Sequence, residues 1–392
     1  MHYVIVGDGI AGITAAKRLR ELDKKSRISI YSNESFYCYS RPQLIEVLGN
    51  RLGIEDIPLK PVNWFYENDI ELYLNVIVKN LDVDNKKIVT DCDQKIFFDK
   101  LLLATGSSPN TPPIKGIEQA GVFTIRKIED VRRIQKNARD KTRSVVIGGG
   151  LLGLETAYSL KQLGLDVKVV DRNPWVLKKQ IDMKGSNILK ESIEEFGIEI
   201  ILDSQTENIT RDSLGNLKLV LTNGKEIETD LVVVSAGVIP NTVLASSAGI
   251  ETNKGILVDD YLSTSALDVF AAGDVAEANG KCYGIIPAAI EQGKLVAENM
   301  VYINSKKYNG TVSSTSLKIL GIDLVSIGEI YPSENDNVVA QVDFQNNIYK
   351  KTVFRDNVLI GAILLGDKTA LPSLNKLIRT KTEVDNPEMI FN

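Results

Sequence analysis

The sequence predicts an α/β protein: two parallel-sheet units of one design, followed by a small C-terminal α+β domain. Three observations carry this. An apolar, β-branched run leads through a Gly-rich turn into an apolar-periodic helix at Val4-Ile5-Val6-Gly7-Asp8-Gly9-Ile10-Ala11-Gly12. The same succession returns at Val145-Val146-Ile147-Gly148-Gly149-Gly150-Leu151-Leu152-Gly153. From about residue 311 the texture changes to short alternating segments joined by Asn-Asn and Asp-Asn turns. At 392 residues the chain exceeds one ordinary core, and two to three domains are expected.

Taken in order, the first unit reads strand Tyr3–Val6, helix Ile10–Leu22 and strand Arg27–Tyr31. Residues 37–60 read as irregular, with Arg41-Pro42 and Asp56-Ile57-Pro58 as breakers. Strand signals follow around Ile70–Val78 and Lys87–Thr90, and the strand Lys100–Ala104 exits through Thr105-Gly106-Ser107-Ser108-Pro109. The pattern then restarts with strand Arg143–Ile147, helix Leu151–Leu163, strand Asp166–Val170 and Asp171 at its end. Helix Ser186–Phe196, strand Glu199–Leu202 and an Asn223-Gly224 hairpin come next. Strand Leu231–Ala236 exits through Gly237-Val238-Ile239-Pro240, echoing the earlier exit. The two Gly-rich turns thus head an internal duplication. Val269-Phe270-Ala271-Ala272-Gly273-Asp274 is a buried strand delivering an acid, and Pro287 opens a helix to Met300. Strands Val338–Phe344, Ile348–Arg355 and Val358–Leu364 and the helix Leu371–Arg379 make up the tail.

A Gly-rich turn between strand and helix has a physical use. The first glycine permits the tight turn and the second lets backbone approach a pyrophosphate. The third lets helix pack on strand, and the helix N-terminus then faces the phosphate charge. One such match is weak. Two, each followed by a second strand with a polar or acidic end, point to two dinucleotides in one chain and to electron transfer between them.

Composition excludes several other classes. Hydrophobic residues make up 43% and charged residues 25%, ordinary for a soluble globular protein. A net charge of −5 with no dominant basic segment argues against nucleic acid as partner. No apolar run approaches the roughly 20 residues needed to span a bilayer. The first strand starts at His2 or Tyr3, leaving no room for a signal peptide, so a cytoplasmic protein is expected. Cys38, Cys92 and Cys282 are far apart, which is neither a disulfide framework nor a zinc site, and no metal is expected. His2 is the only histidine and reads as a strand-end residue.

The chain resembles the two-dinucleotide pyridine nucleotide-disulfide oxidoreductase superfamily, and within it the NADH:rubredoxin reductases. It is similar also to the flavin-binding part of NADH-dependent nitrite reductases and to the ferredoxin reductases of oxygenase systems. The residues that carry this are Val4–Gly12, Tyr39-Ser40-Arg41-Pro42, Trp64-Phe65-Tyr66, Phe98–Gly106, Gly148–Glu155 and Ala271–Asp274, with Leu317–Ile327 and Ile360–Asp367 in the tail. The resemblance implies two Rossmann-like FAD/NAD(P)-binding domains. The FAD-binding domain comprises residues 1–110 and 238–310, the NAD(H)-binding domain 111–237, and the C-terminal α+β domain 311–392.

The expected FAD contacts begin at Gly7, Gly9, Ile10, Ala11 and Gly12. Asn33 and Glu34, at the end of the second strand, stand where an adenosine ribose wants an acceptor. Relatives often carry an acid at the position of Asn33, and this chain departs from that. Asp8 is uncomfortable near phosphate and is expected to point to solvent. Ala104, Thr105 and Gly106 continue the site, and Gly273-Asp274 meets the ribityl hydroxyls. The helix at Pro287 aims its positive end at the flavin pyrimidine edge. Val78, Arg126 and Ile286 align with FAD-contacting positions by resemblance alone, and Arg41-Pro42 falls where relatives carry a cation beside the flavin. Ferredoxin reductases often add a lysine five positions on; here that position is Glu46, which leans toward the rubredoxin reductase branch.

NAD(H) is expected at Gly148, Gly150, Leu151, Leu152, Gly153 and Gly237. Asp171 suits a ribose 2′-hydroxyl and repels a 2′-phosphate, whereas its neighbour Arg172 tolerates one. Glu155 aligns with an acid near the nicotinamide–flavin stack, and otherwise reads as a helix residue favoured by the dipole. Arg41 and Glu155 are the candidates for electrostatic catalytic roles. Some relatives use one redox cysteine nearby, but it aligns better with Ser40 than with Cys38, and the C-x4-C pair is absent.

The expected function is hydride transfer from NADH to FAD, then electron delivery to a small carrier protein, rubredoxin or similar. Lys350-Lys351 and Arg41 are candidates for a basic patch that meets an acidic carrier. Three alternatives remain: an NADH oxidase or peroxidase, the flavin subunit of an NADH-dependent nitrite reductase, and a non-enzymatic flavoprotein that responds to NADH. The oligomeric state stays open.

Overall fold

The computed structural model describes residues 1–391 apart from Leu214 and Leu320, with the backbone but not the side chains of 316–319. Leu320, inside the Leu317–Ile327 stretch, therefore lies outside the described residues. The chain forms two compact units: Met1–Arg41, Ile54–Ser108 and Val238–Thr311 make the first, and Pro42–Gly53, Pro109–Gly237 and Val312–Asn392 the second.

In the first unit five strands lie parallel in the order Val269–Ala271, Lys100–Leu103, His2–Val6, Arg27–Tyr31, Ile70–Tyr73. Tyr3, Val4 and Ile5 are fully buried, as a parallel strand covered on both faces requires. The helix Ile10–Leu22 buries Ala11, Gly12, Ile13, Ala15, Ala16 and Leu19. Against it lies the 16-residue helix Ile286–Val301 with Pro287 in its first turn, where the missing N–H costs nothing. The two helices approach so closely that a Cβ at Gly293 would stand 2.7 Å from Ala11 O. The unit also holds a three-stranded antiparallel sheet, Val78–Asp82, Lys87–Thr90 and Lys95–Phe97, and a parallel pair, Ile256–Val258 and Ala276–Ala278.

The second unit repeats the design. Its parallel sheet runs Ile198–Ile201, Asp166–Val170, Arg143–Ile147, Leu231–Val234, Val122–Thr124. In both sheets the strand before the Gly-rich turn is central, flanked by the second strand of its repeat on one side and the closing strand on the other. A three-stranded antiparallel sheet again follows, at Thr206–Arg211, Leu217–Leu221 and Glu226–Thr229. The outermost parallel strand differs in origin: it follows its repeat in the first unit and precedes it in the second.

The tail is a five-stranded antiparallel sheet in the order Ser314–Ile319, Ile322–Gly328, Val358–Leu365, Ile348–Arg355, Asn337–Asp343. The helix Leu371–Thr380 covers one face through Leu374 and Ile378. Residues 37–60, expected to be irregular, hold a short helix at Leu44–Leu48 between 3-10 turns at Arg41–Gln43 and Ile54–Asp56. Leu44, Ile45, Val47 and Leu48 are buried, so packing makes a helix of a segment whose breakers read as loop.

Candidate functional site

The two Gly-rich turns match glycine by glycine. Gly7 and Gly148 adopt φ of 111° and 118°, which an L side chain rarely takes, and a Cβ on either would overlap Ala104 O or Ser235 O. Gly12 and Gly153 press against the carbonyls of Gly7 and Gly148, so helix and strand meet with no room for a side chain. Gly9 and Gly150 are the N-caps of their helices, both in extended backbone, and a Cβ there would meet nothing within 4 Å. Two glycines of each turn are thus forced by packing. The middle one faces open space with helix N–H groups behind it, a fit for a pyrophosphate.

Around the first turn, Tyr31 and Ser32 lead into a buried polar cluster. Glu34 is 5% exposed and takes Arg41 Nη2 at 2.6 Å, with Tyr39 OH donating to its other oxygen. The Arg41 guanidinium also lies 5.2 Å from the Tyr39 ring centroid. Asp8 departs from expectation. It is buried, not solvent-facing, and accepts from Ser32 Oγ at 2.8 Å; burial holds its carboxyl above the usual range. The hydroxyl at the end of the second strand gives the acid a partner that its place in the turn does not reveal.

At the closing strand, Ala104 N donates to Val6 O at 2.8 Å, and Gly106 takes a φ of 65°. Thr105 and Asn241 exchange two bonds, Thr105 Oγ1 to Asn241 O at 2.9 Å and Asn241 Nδ2 to Thr105 O at 2.8 Å. Asp274 accepts from Ser107 Oγ at 2.8 Å, and Gly273 N donates to Gln292 Oε1 at 2.8 Å on the long helix. The structure therefore brings Gly273-Asp274, the exit at Ser107 and the helix that starts at Ile286-Pro287 together within the first unit. Val78 opens the first strand of the antiparallel sheet, and Asn33 is exposed.

In the second unit Asp171 is 8% exposed and locked in place. Gly149 N donates to its Oδ2, and Asn173 donates to Oδ1 from backbone N at 2.7 Å and from Nδ2 at 2.8 Å. Arg172 beside it is exposed. Gly237, at a φ of 90°, accepts from Asn110 N at 2.9 Å where the chain enters and leaves the repeat. Arg126 follows the strand Val122–Thr124 and donates its backbone N to Asp130 at 3.0 Å. Pro42 falls at the start of the 42–53 segment of this unit.

Glu155 is the fifth residue of the helix Leu151–Gln162, past the first turn where the dipole acts most strongly. Burial and the neighbouring Glu46 push its carboxyl up to about 7 against the pull of Arg51. Arg51 is paired with Glu46, donates to Ser159 Oγ at 3.3 Å and lies 5.0 Å from the Tyr158 ring. Sequence reasoning gave Glu46 only a comparative role and missed Arg51; its five-residue spacing from Glu46 was the available signal. Tyr39, Ser107 and Asn241 were missed as polar partners too: Tyr39 meets Glu34 only five residues back, whereas Ser107 and Asn241 meet Asp274 and Thr105 across more than a hundred residues.

Two further expectations meet the structure here. The Lys350-Lys351 patch does not form: Lys350 pairs with Asp367 at 2.6 Å and the 6%-exposed Lys351 with Asp182 at 2.8 Å. Alternating strand residues near two acids are taken up inside the fold. Cys38 is 2% exposed, and burial pushes its thiol up to about 12, the reverse of what a reactive thiolate needs. Among the described residues no helix is long and apolar enough to cross a membrane, and no group of three or more His, Cys, Asp or Glu side chains could hold a metal ion.

The pyridine nucleotide-disulphide oxidoreductase family model matches residues 1–293, and the rubredoxin NAD+ reductase C-terminal domain matches 314–382. A nitrite reductase [NAD(P)H] of Bacillus subtilis (strain 168) is 37% identical over 99% of this chain, which spans about half, 48%, of that relative's length. A rubredoxin-NAD(+) reductase of Ectopseudomonas oleovorans is 34% identical over 76% of this chain and 80% of its own. The crystal structure of NADH:rubredoxin oxidoreductase from Clostridium acetobutylicum superposes with a TM-score of 0.82, at 27% identity and 98% and 97% coverage of the two chains. With both Gly-rich cradles formed and the match running over most of its length, the chain belongs to the pyridine nucleotide-disulphide oxidoreductase family, whose members use FAD and a nicotinamide nucleotide.

Proposed function

We propose that this chain is an NAD(P)H-dependent flavoprotein oxidoreductase that draws electrons from NADH and delivers them to a small carrier protein, rubredoxin or one like it. The observation that carries the reading is the doubled cradle, with an open middle glycine at both Gly9 and Gly150. The C-terminal match to rubredoxin reductases supports the choice of carrier. In this reading residues 1–110 and 238–310 are the FAD-binding domain, 111–237 the NAD(H)-binding domain and 311–392 the C-terminal domain.

FAD would be held by Gly7, Gly9, Ile10, Ala11, Gly12, Asn33 and Glu34, by Ala104, Thr105 and Gly106, and by Gly273-Asp274 with Ile286-Pro287. Arg41-Pro42, Val78 and Arg126 complete the set. NAD(H) would be held by Gly148, Gly150, Leu151, Leu152, Gly153, Asp171, Arg172 and Gly237. When bound, the pair supplies hydride acceptance from NADH and electron release to the carrier. The chain supplies the rest. Helix N–H groups behind Gly9 and Gly150 meet pyrophosphate charge, and Asp171 accepts from a ribose hydroxyl while opposing a 2′-phosphate. Arg41 keeps a positive charge against the flavin region, and Glu155 holds or releases a proton at Oε near neutral pH.

The buried, protonated Cys38 disfavours the peroxidase alternative, which relies on a thiolate. The half-length match to nitrite reductases favours a second reading, in which the chain works as the flavin part of a larger enzyme. Purified protein tested with NADH against rubredoxin, ferredoxin, oxygen and peroxide separates these. Rapid rubredoxin reduction supports the main reading. Turnover with artificial acceptors alone supports the second, and no turnover with any acceptor removes both.

A further inference from the structure

Residues 171–182 contain neither helix nor strand, so their path is set by what holds the two ends. One end is tied to the second Gly-rich turn. The Gly149 N–H donates to Asp171 Oδ2, and the Gly149 carbonyl accepts from Leu177 N at 2.9 Å. Both backbone hydrogen-bonding groups of Gly149, the residue before Gly150, are therefore spent on this one strap. Leu177 itself is buried and takes a φ of 54°, a strained setting for a branched side chain that only a firmly held segment keeps.

The other end is tied to the C-terminal domain, by the loop at Tyr331 and by the strand Ile348–Arg355. Tyr331 OH donates to Lys178 O and, at 3.1 Å, to Ile181 O. Tyr349 OH and Lys351 Nζ each reach Asp182 Oδ2 at 2.8 Å, while Asp182 Oδ1 caps the next helix at Gly185 N, 3.1 Å away. A Cβ at Gly185 would stand 2.5 Å from Tyr349 Cδ1, so this glycine is what lets the tyrosine seat. Lys351 and Tyr349 are both buried. In the first unit the acid after the second strand, Glu34, is held instead by Arg41 and Tyr39.

We propose that Tyr331, Tyr349 and Lys351 of the C-terminal domain are positioning residues for nicotinamide-nucleotide binding, acting through the 171–182 strap on the Gly149 backbone and on Asp171. The inference rests on the reading that the second turn takes the nucleotide. It gives the C-terminal domain a task beyond docking a carrier. If the strap relaxes, the Gly149 peptide is free to tilt and the carboxylate leaves the place where a ribose hydroxyl would meet it.

The test is calorimetric binding of ADP-ribose to the FAD-loaded protein. Lys351→Met and Tyr331→Phe should each weaken binding, about tenfold for the former, with flavin content and absorbance unchanged. Lys351→Arg should restore part of the loss. Val339→Ala, a cavity on the helix-covered side of the same sheet, controls for general loosening and should bind ADP-ribose like the wild type despite a lower melting temperature. Wild-type-like binding by both Lys351→Met and Tyr331→Phe, in a protein that Asp171→Ala does weaken, overturns the inference alone. Equal weakening by Val339→Ala also overturns it. Absence of ADP-ribose binding in the wild type overturns the nucleotide reading itself.

Discussion

Arg41 Nη2 lies 2.6 Å from Glu34 Oε1, and the carboxylate it meets is 3% exposed. They stand seven positions apart, in the segment between the strand Arg27–Tyr31 and the turn that starts at Arg41. Removing the cation strands a buried charge. Arg41→Met should therefore destabilise the cofactor-free protein by about 3 kcal/mol, the lower end for breaking a buried pair because Arg41 keeps some solvent contact. Urea unfolding measures this, and Arg41→Met combined with Glu34→Gln should recover most of the loss. An unchanged midpoint in Arg41→Met would show that the pair contributes nothing.

Glu155 makes stability depend on pH in a definite direction. Its folded carboxyl titrates at about 7 against 4.5 when unexposed to the fold, because burial and Glu46 disfavour the charge. The folded state thus binds more protons between those values. The contribution is full below about pH 4.5 and is lost as pH rises to 7, by about 3 kcal/mol in all. Relative to wild type, Glu155→Gln should flatten the unfolding midpoint between pH 5 and 7.5, and Glu46→Gln should move the change to lower pH. Parallel profiles for wild type and Glu155→Gln would refute this.

Asp171 should make NADH the better substrate. Its carboxylate is buried and fixed by Gly149 and Asn173, so it cannot swing away from a 2′-phosphate. Asp171→Asn should narrow the NADH-to-NADPH ratio of kcat/KM by about tenfold, equivalent to roughly 1.4 kcal/mol. If NADPH already equals NADH in the wild type, the acid does not face the ribose.

Cys38 should be chemically silent. With the thiol held near 12, alkylation at pH 8 followed by mass spectrometry should label exposed Cys92 and leave Cys38 untouched. Cys38→Ser should keep carrier reduction with FAD bound. Loss of that activity in a folded, yellow variant would return thiol chemistry to consideration.

Flavin retention should depend on Asp274. The acid sits in the 3-10 turn Gly273–Val275 just after the buried strand Val269–Ala271, with Ser107 Oγ on it at 2.8 Å. Asp274→Ala should weaken FAD binding by about 1–3 kcal/mol, the range for leaving a polar partner unsatisfied. Gel filtration with absorbance at 450 nm reads the retained fraction; full retention would place the ribityl chain elsewhere.

The sequence by itself determined the doubled architecture and the cradles. Gly7 and Gly12, like Gly148 and Gly153, are written into the chain because no other residue survives the backbone contacts there, and a local constraint of that kind is legible without coordinates. Asp171 and Asp274 were legible likewise, as acids at the ends of apolar runs. Only the tertiary structure decided what the remaining charges do. Asp8 looked solvent-bound until Ser32 was placed beside it, and Lys350-Lys351 looked like a docking surface until Asp367 and Asp182 took both. Resemblance marks Glu155 as a candidate acid, but its raised carboxyl comes from burial and from Glu46, opposed by Arg51, both more than a hundred residues away. The reason is physical: backbone requirements act between neighbours in the chain, whereas the state of a charge depends on everything near it in space.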